Sequence, residues 1–187
     1  VDITLNTKIN NAIAGDINIS NIGGGLTIKN GVMVLNEMGF TSEAATMKVT
    51  AMYRSPRKNH LYLGIDLHLL EIDIAEMIDL IPELDTLVPM LSSFAGKAEF
   101  HFAAETYLKS NYEMKLSTLK GATAINGKDL VILDNNTYKK LGRLLGFKDK
   151  THNMIDNLSV EITAFKNEID VYPTLITVDK YQAVVGG

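Results

Sequence analysis

The clearest pattern in the chain is a period-two alternation between residues 61 and 69. Aliphatic side chains occupy every odd position, at Leu61, Leu63, Ile65, Leu67 and Leu69. Because successive side chains of a strand point to opposite faces, this segment predicts a β-strand that is apolar on one face only. The same alternation returns at Met47, Val49, Ala51 and Tyr53, at Ala98, Phe100, Phe102 and Ala104, and at Leu158, Val160, Ile162 and Ala164. The chain is therefore predicted to be mainly β, and helices, a second sheet or a lipid must cover the apolar side.

Turn signals between these segments predict antiparallel hairpins. The pairs Asn30-Gly31 and Asn126-Gly127 each favour a tight type I′ turn, which requires positive φ angles. The segment 166–171 (KNEIDV) repeats the text of 29–34 (KNGVMV), with Glu168 in place of the glycine. The repeat indicates either a stack of similar meander units or the ordinary reuse of favourable turns.

Helical spacing interrupts the strand pattern between residues 73 and 95. Apolar residues follow the i, i+3, i+4, i+7 pattern of a helix face, at Ile74, Met77, Ile78 and Ile81. Asp73 is placed as the N-cap, and Pro82 ends the helix. A second short helix is predicted with an apolar side formed by Leu84, Leu87, Val88 and Leu91. Gly96 then begins the next strand.

A third helix is predicted from about Asn136 to Leu145, with Gly146 as its left-handed C-cap. Its apolar stripe comprises Tyr138, Leu141, Leu144 and Leu145. The outer face is basic, at Lys139, Lys140, Arg143 and Lys148. This face is interpreted as a solvated helix surface, with contact to lipid headgroups as the alternative.

Length and composition restrict the classes of function. A chain of 187 residues suits a single domain or one module of a larger protein. The net charge of −4 and the lack of a basic cluster interleaved with aromatic residues argue against nucleic acid as a partner. The absence of cysteine excludes disulfides and thiolate chemistry. Strand-like sequence patterns at both ends predict that residues 1–187 are a fragment of a longer protein.

Catalytic and metal-binding motifs are sparse. The sequence contains no glycine-rich phosphate loop, no Gly-x-Ser-x-Gly elbow and no His-Glu-x-x-His pair, so a non-enzymatic protein is predicted. His68 and His101 could share the polar face of neighbouring strands, but a metal site needs at least three ligands and nothing else is expected to be anchored near these two. They are interpreted as solvent-facing residues, and no metal site or cofactor is predicted. A lipid-modifying hydrolase, the least favoured alternative, would require Ser110 or Ser117 to converge with these histidines.

An ordered series of motifs resembles the C-terminal region of the AsmA family. The segments are 119–127 (LKGATAING), 130–135 (LVILDN), 139–147 (KKLGRLLGF), 155–161 (IDNLSVE), 166–173 (KNEIDVYP) and the closing strand at 181–186. Upstream, 73–78 (DIAEMI) with Pro82 and 96–98 (GKA) is similar to the helix of that family and the strand after it. The resemblance covers roughly Gly24 to Gly187 and is closest after Gly96.

The resemblance implies a fold and a function. AsmA-like proteins are similar to TamB-type bridge-like lipid carriers, in which an N-terminal helix anchors a long periplasmic β-groove in the bacterial inner membrane. It implies phospholipid transport between the inner and outer membranes, or outer-membrane biogenesis, without a cofactor. The expected fold is a twisted antiparallel sheet or half-open groove of meander hairpins with two or three short helices. On this resemblance, the anchor and most of the groove are expected to lie outside residues 1–187.

The partner expected from this resemblance is phospholipid or another acyl-chain lipid. Envelope proteins are further candidate partners, and the membrane is expected to be reached through an anchor outside the chain. The expected groove wall comprises Leu61, Leu63, Ile65, Leu67, Leu69, Phe100, Phe102, Leu158, Val160 and Ile162. Two alternatives stay open. These side chains form a closed core beneath the helices, or the chain is a β-rich scaffold or interaction module of the cell envelope that does not transport lipid.

Overall fold

The computed structural model describes residues 2–14, 17–42, 45–57, 60–80, 82–133, 135–145 and 154–186. The strands are β1 (Ile3–Ala14), β2 (Ile17–Lys29), β3 (Val32–Thr41), β4 (Thr46–Arg57), β5 (His60–Asp73), β6 (Phe94–Ala95), β7 (Lys97–Leu108), β8 (Lys120–Ile132), β9 (Met154–Phe165), β10 (Glu168–Val171), β11 (Thr174–Val178) and β12 (Tyr181–Val185). The helices are α1 (Ile74–Leu80), α2 (Glu83–Leu87) and α3 (Asn135–Leu145), with 3₁₀ turns at Pro89–Ser93 and Leu116–Thr118.

The strands form one open antiparallel sheet. Its order is β1-β2-β3-β4-β5-β7-β8-β9-β11-β12, while β6 pairs with β8 and β10 with β9. Strands that follow each other along the chain are mostly neighbours in the sheet, as in a meander. The prediction of a mainly β, antiparallel fold with two or three short helices is confirmed.

Two of the three predicted turns form. Asn30 and Gly31 connect β2 to β3 with φ angles of 51° and 76°, the left-handed values that a type I′ turn needs. Lys166 and Asn167 connect β9 to β10 with φ angles of 49° and 70°. This turn lies one residue earlier than the alignment with Asn30-Gly31 predicts, so it forms without a glycine.

The predicted hairpin at Asn126-Gly127 is wrong, because both residues lie inside the continuous strand β8. Gly127 is covered by Leu130, so closely that a Cβ on Gly127 would lie 2.5 Å from the Leu130 Cδ1 atom. Leu130 is fully buried. Burial of the Leu130 side chain and pairing along β8 outweigh the local turn preference. The left-handed backbone conformation within this part of the strand is at Asp129, with a φ of 52°.

The predicted helices form, with differences in detail. The Asp73 Oδ1 atom accepts a hydrogen bond of 2.9 Å from the backbone N–H of Ala75, as expected for the N-cap of α1. In α3, Leu141 is buried but Leu144 is 60% exposed, so the predicted apolar stripe is narrower than its spacing indicated. Ile81, Gly146, Lys148 and the side chains of Tyr138 and Leu145 lie outside the described residues.

The chain divides into two compact units. Unit 1 comprises Val1–Leu70, His101–Thr123 and Thr163–Asp170, and unit 2 comprises Glu71–Phe100, Ala124–Ile162 and Val171–Gly187. Among the described residues, the only fully buried apolar side chains of unit 1 are Leu61, Leu69 and Leu108. Unit 2 therefore contains most of the buried core.

Helices and strands of unit 2 share this core. The helical segments contribute Ile74, Met77, Leu84, Val88, Leu91 and Leu141. The strands contribute Phe100, Ile125, Leu130, Ile155, Leu158, Val160, Ile162 and Ile176, among others. Unit 2 thus has the two layers that a sheet with one apolar face needs.

Replacing Leu158 with alanine tests this core. Leu158 is completely buried, so Leu158→Ala leaves a cavity and we expect it to lower the free energy of unfolding by about 3 kcal/mol. Leu144→Ala is the matched control, because Leu144 is exposed and its loss should change stability by less than about 0.5 kcal/mol. Chemical denaturation measures both variants. Equal effects would show that Leu158 is not a core residue.

Candidate functional site

Strand pairing in unit 1 aligns apolar side chains into rows that cross five strands. The first row contains Ile3, Ile28, Met33, Tyr53 and Leu63. The second contains Leu5, Leu26, Leu35, Ala51 and Ile65. Neighbouring strands lie ~4.8 Å apart, so each row extends about 19 Å across the sheet. We call the surface formed by these ten uncharged residues the apolar face.

The apolar face is only partly covered. Ile3 and Met33 are each 39% exposed and Leu5 is 55% exposed, while the other seven residues are half-buried. Within the described part of unit 1, the only helical segment is the single 3₁₀ turn at Leu116–Thr118. The described residues of unit 1 therefore include no helical second layer for this face.

The residues of the expected groove wall fall into different surroundings. Leu63, Ile65, Leu67 and Phe102 are half-buried members of unit 1. Leu61 and Leu69, toward the ends of the unit 1 part of β5, are buried. The remaining four are buried in the core of unit 2, namely Phe100, Leu158, Val160 and Ile162. Of the ten residues, the four half-buried ones of unit 1 are those that a ligand could reach without opening a core.

The opposite face of unit 1, which we call the polar face, carries a cluster of two histidines and an aspartate. Asp66 and His68 are two residues apart on β5 and so share one face, and His101 lies on the neighbouring strand β7. The Nε2 atom of His68 lies 2.9 Å from the Asp66 Oδ1 atom, and that of His101 lies 3.3 Å from Oδ2. The two imidazole rings stack with centroids 3.9 Å apart and an angle of 17° between their planes.

Sequence reasoning singled out His68 and His101 but missed Asp66. The expectation that nothing else is anchored near the two histidines is wrong, because one ligand atom from each of the three residues lies within 4.8 Å of the others. The Asp-x-His spacing on a predicted strand was the available signal, since it places both side chains on one face. The sequence indicated that the strands of His68 and His101 could be neighbours, but it did not give their register, because α1, α2, a 3₁₀ turn and β6 separate β5 from β7 in the chain.

A second polar cluster on this face surrounds Glu105. The Tyr62 hydroxyl donates a 2.9 Å hydrogen bond to Glu105 Oε2, and the Lys120 Nζ atom lies 3.3 Å from Oε1. The hydrogen bond from Tyr62, followed by that from Lys120, lowers the pKa of Glu105 below its usual 4.5. The same hydrogen bond, together with desolvation, raises the pKa of Tyr62 above its usual 10.0. The Arg54 guanidinium lies 4.7 Å from the centre of the Tyr62 ring.

A cavity of about 430 Å³ is lined by residues of both clusters. Asp66 belongs to the first cluster, and Tyr62, Glu105 and Lys120 belong to the second. The other residues that line the cavity include the small residues Gly64, Ala103 and Ala122. The polar face of unit 1 thus combines a carboxylate and two imidazoles with a shallow space beside them.

Comparison with known proteins identifies no relative, because no family model, curated protein or solved structure matches the chain. The AsmA resemblance therefore stays a prediction. None of the helices in the described residues has the length and apolar character required to cross a membrane. Asp66 is a hydrogen-bonding partner of both His68 and His101, and the hydrolase alternative stays a prediction.

The Glu105 cluster predicts a specific pH response. Because the pKa of Glu105 is lowered in the folded state, its contribution to stability is present above its unfolded pKa and is lost as the pH falls through the folded pKa, below about 4.5. Tyr62→Phe removes the hydrogen bond that lowers the pKa of Glu105 most. We therefore expect this pKa to rise toward 4.5, and less stability to be lost as the pH falls. Carboxyl chemical shifts measured by NMR across a pH titration report the pKa directly.

Tyr112→Phe is the control for this titration, because Tyr112 is 68% exposed and makes no contact with Glu105. It should leave the titration of Glu105 unchanged. A Glu105 titration that is identical in wild type and Tyr62→Phe would contradict the assignment.

Proposed function

We propose that the chain binds an acyl-chain lipid along the apolar face of unit 1, as a non-enzymatic module of a protein that moves phospholipid between the bacterial inner and outer membranes. One observation carries the proposal. The rows of the apolar face contain ten uncharged residues, none of them fully buried, and the described residues of unit 1 include no helical layer over them. A contiguous apolar face that stays partly exposed favours a site of interaction.

The dimensions of the rows suit one acyl chain. Each row extends about 19 Å, given a strand spacing of ~4.8 Å. One leaflet of a bilayer contributes half of a hydrocarbon core of about 30 Å, so an acyl chain in that leaflet extends about 15 Å. A chain lying across β1 to β5 would thus contact apolar side chains along its whole length, with no directional polar contacts needed.

The expected affinity is modest. Each methylene that leaves water contributes about 0.8 kcal/mol, but a chain on an open face keeps one side exposed. A single saturated chain binds a membrane with an association constant of about 10⁴ M⁻¹, which gives the scale for one chain on this surface. Loose binding of this kind is what transport needs, because the lipid must also leave.

The setting in the cell envelope comes from the AsmA resemblance. The motif order between Gly96 and Gly187, and the open antiparallel sheet, are the features that support membership of a lipid-carrier system. On this proposal the chain is one segment of a longer apolar surface, and the membrane anchor belongs to the rest of the protein.

Two methionines offer a matched test of lipid binding. Met33 lies on the apolar face and is 39% exposed, while Met52 lies on the adjacent strand, faces the other side and is 41% exposed. Met33→Glu places a charge in a row that must lose water, so we expect binding of a fluorescent acyl-chain probe to weaken at least roughly tenfold, which corresponds to about 1.4 kcal/mol. Met52→Glu should change it less than about twofold.

Native mass spectrometry of the chain purified from a bacterial host provides the second measurement. We expect phospholipid to be retained and to be released by organic extraction. Equal effects of the two glutamate substitutions on probe binding, or a wild-type chain that binds neither probe nor phospholipid, would reject the proposal.

A β-rich interaction module is the second candidate. It is favoured by β1, a strand of 12 residues that stands first in the order of the described sheet, beside β2. Ile9 and Ile13 on this strand are 44% and 76% exposed. Exposed strand edges readily pair with an added strand from a partner. Cross-linking in the cell distinguishes the two candidates, since an edge-bound protein would be captured by residues of β1.

A further inference from the structure

We infer that Asp66, His68 and His101 form a binding site for a divalent transition-metal ion of the Zn²⁺ class. The site lies on the polar face of unit 1 and is independent of the proposed lipid function. Two imidazole nitrogens and one carboxylate oxygen are donors that suit Zn²⁺, Cu²⁺ and Ni²⁺. Ca²⁺ and Mg²⁺ prefer sites built from oxygen alone, so the donor set selects against them.

The distances between donor atoms fit one metal ion. Ligands that bind a tetrahedral Zn²⁺ at about 2.0–2.1 Å stand roughly 3.3 Å from one another. The His68 Nε2 atom lies 2.9 Å from one oxygen of Asp66, and the His101 Nε2 atom lies 3.3 Å from the other. One ligand atom from each of the three residues lies within 4.8 Å of the others. These separations are within about 1.5 Å of the tetrahedral value, so side-chain rotation can bring the three donors onto one ion.

One rearrangement is required, and the cluster allows it. An imidazole binds a metal in the plane of its ring, whereas the two rings are stacked almost parallel at 3.9 Å. The rings must tilt so that both Nε2 lone pairs point to the same ion. The side chains of Asp66, His68 and His101 are 46%, 42% and 43% exposed, which leaves room for that rotation.

The sheet fixes the three backbone positions before a metal binds. Asp66 and His68 alternate on β5, and His101 lies on β7, the strand beside it in the sheet. Such preorganisation reduces the entropy lost on binding. With three protein ligands and an exposed surface, the remaining coordination positions are available to water, as in open metal sites.

Lys48 opposes the binding of a cation. It lies directly across from His68 in the pairing of β4 with β5, on the same face. Side chains in such cross-strand pairs interact, so the ammonium group weakens the site without blocking it. The Lys48 charge therefore provides an electrostatic test of the site. If the three residues bind a metal ion, removal of this charge should raise the affinity for the ion.

Titration of the whole chain with Zn²⁺ by calorimetry tests the inference. We expect one ion per chain, with an affinity that falls at least roughly tenfold in each of Asp66→Asn, His68→Asn and His101→Asn, since loss of even an outer-shell partner weakens metal sites about 10–100-fold. Co²⁺ provides a spectroscopic probe, and its visible absorption bands should require all three residues. Lys48→Gln should bind Zn²⁺ more tightly than wild type.

His60→Asn is the matched control. His60 is an exposed histidine on the same strand whose ring contacts Tyr107 edge-on, with centroids 5.3 Å apart, outside the cluster. It should bind Zn²⁺ within about twofold of wild type. Circular dichroism verifies that each variant is folded, which the partial exposure of the three side chains favours.

Three results would overturn the inference. They are the absence of saturable Zn²⁺ binding by the folded wild-type chain, binding that survives Asp66→Asn unchanged, and an equal loss in His60→Asn. The Asp66→Asn variant should still bind the acyl-chain probe as wild type does. Failure of the metal site and failure of the lipid proposal are therefore distinguishable.

Discussion

The pairing register between β3, β4 and β5 is the constraint on which both surfaces of unit 1 depend. Side chains alternate with a period of two, so a slip of one residue between β4 and β5 would exchange the faces of β5. Ile65 and Leu67 would then lie with Lys48 and Met52, and Asp66 and His68 would enter the apolar rows. The Asn30-Gly31 turn and the bulge between Leu35 and Met38, where Glu37 has a φ of 44°, hold β3 in its native register.

The two units differ in how far the apolar faces of their strands are buried. Each has strands with one apolar face, and in unit 2 the side chains of α1, α2 and α3 pack against those strands to form a closed core. Unit 1 keeps its backbone hydrogen bonds but buries few side chains completely. Its strands are held by pairing and by half-buried neighbours, which leaves the apolar face partly exposed.

Sequence patterns predicted the features that local geometry determines. The alternation from Leu61 to Leu69 gave β5, and the placement of Asp73 before an apolar helical repeat gave the N-cap of α1. Features that depend on the register of long-range pairing were missed. His101 approaches His68 only because β7 pairs with β5, and no local signal specifies that register. Asp66 went unnoticed because a single aspartate on a strand has meaning only when its neighbours across the sheet are known.

The position of Gly127 beneath Leu130 has a consequence for folding. Asn126-Gly127 is among the strongest hairpin sequences, yet the native strand runs straight through it. Before β9 is available as a neighbour, the two halves of β8 can pair with each other around this turn. Such a local hairpin is a competing structure whose contacts are non-native, a case of frustration between local preference and the final fold. A chain that forms this hairpin must open it before β8 can pair along its length with β7 and β9.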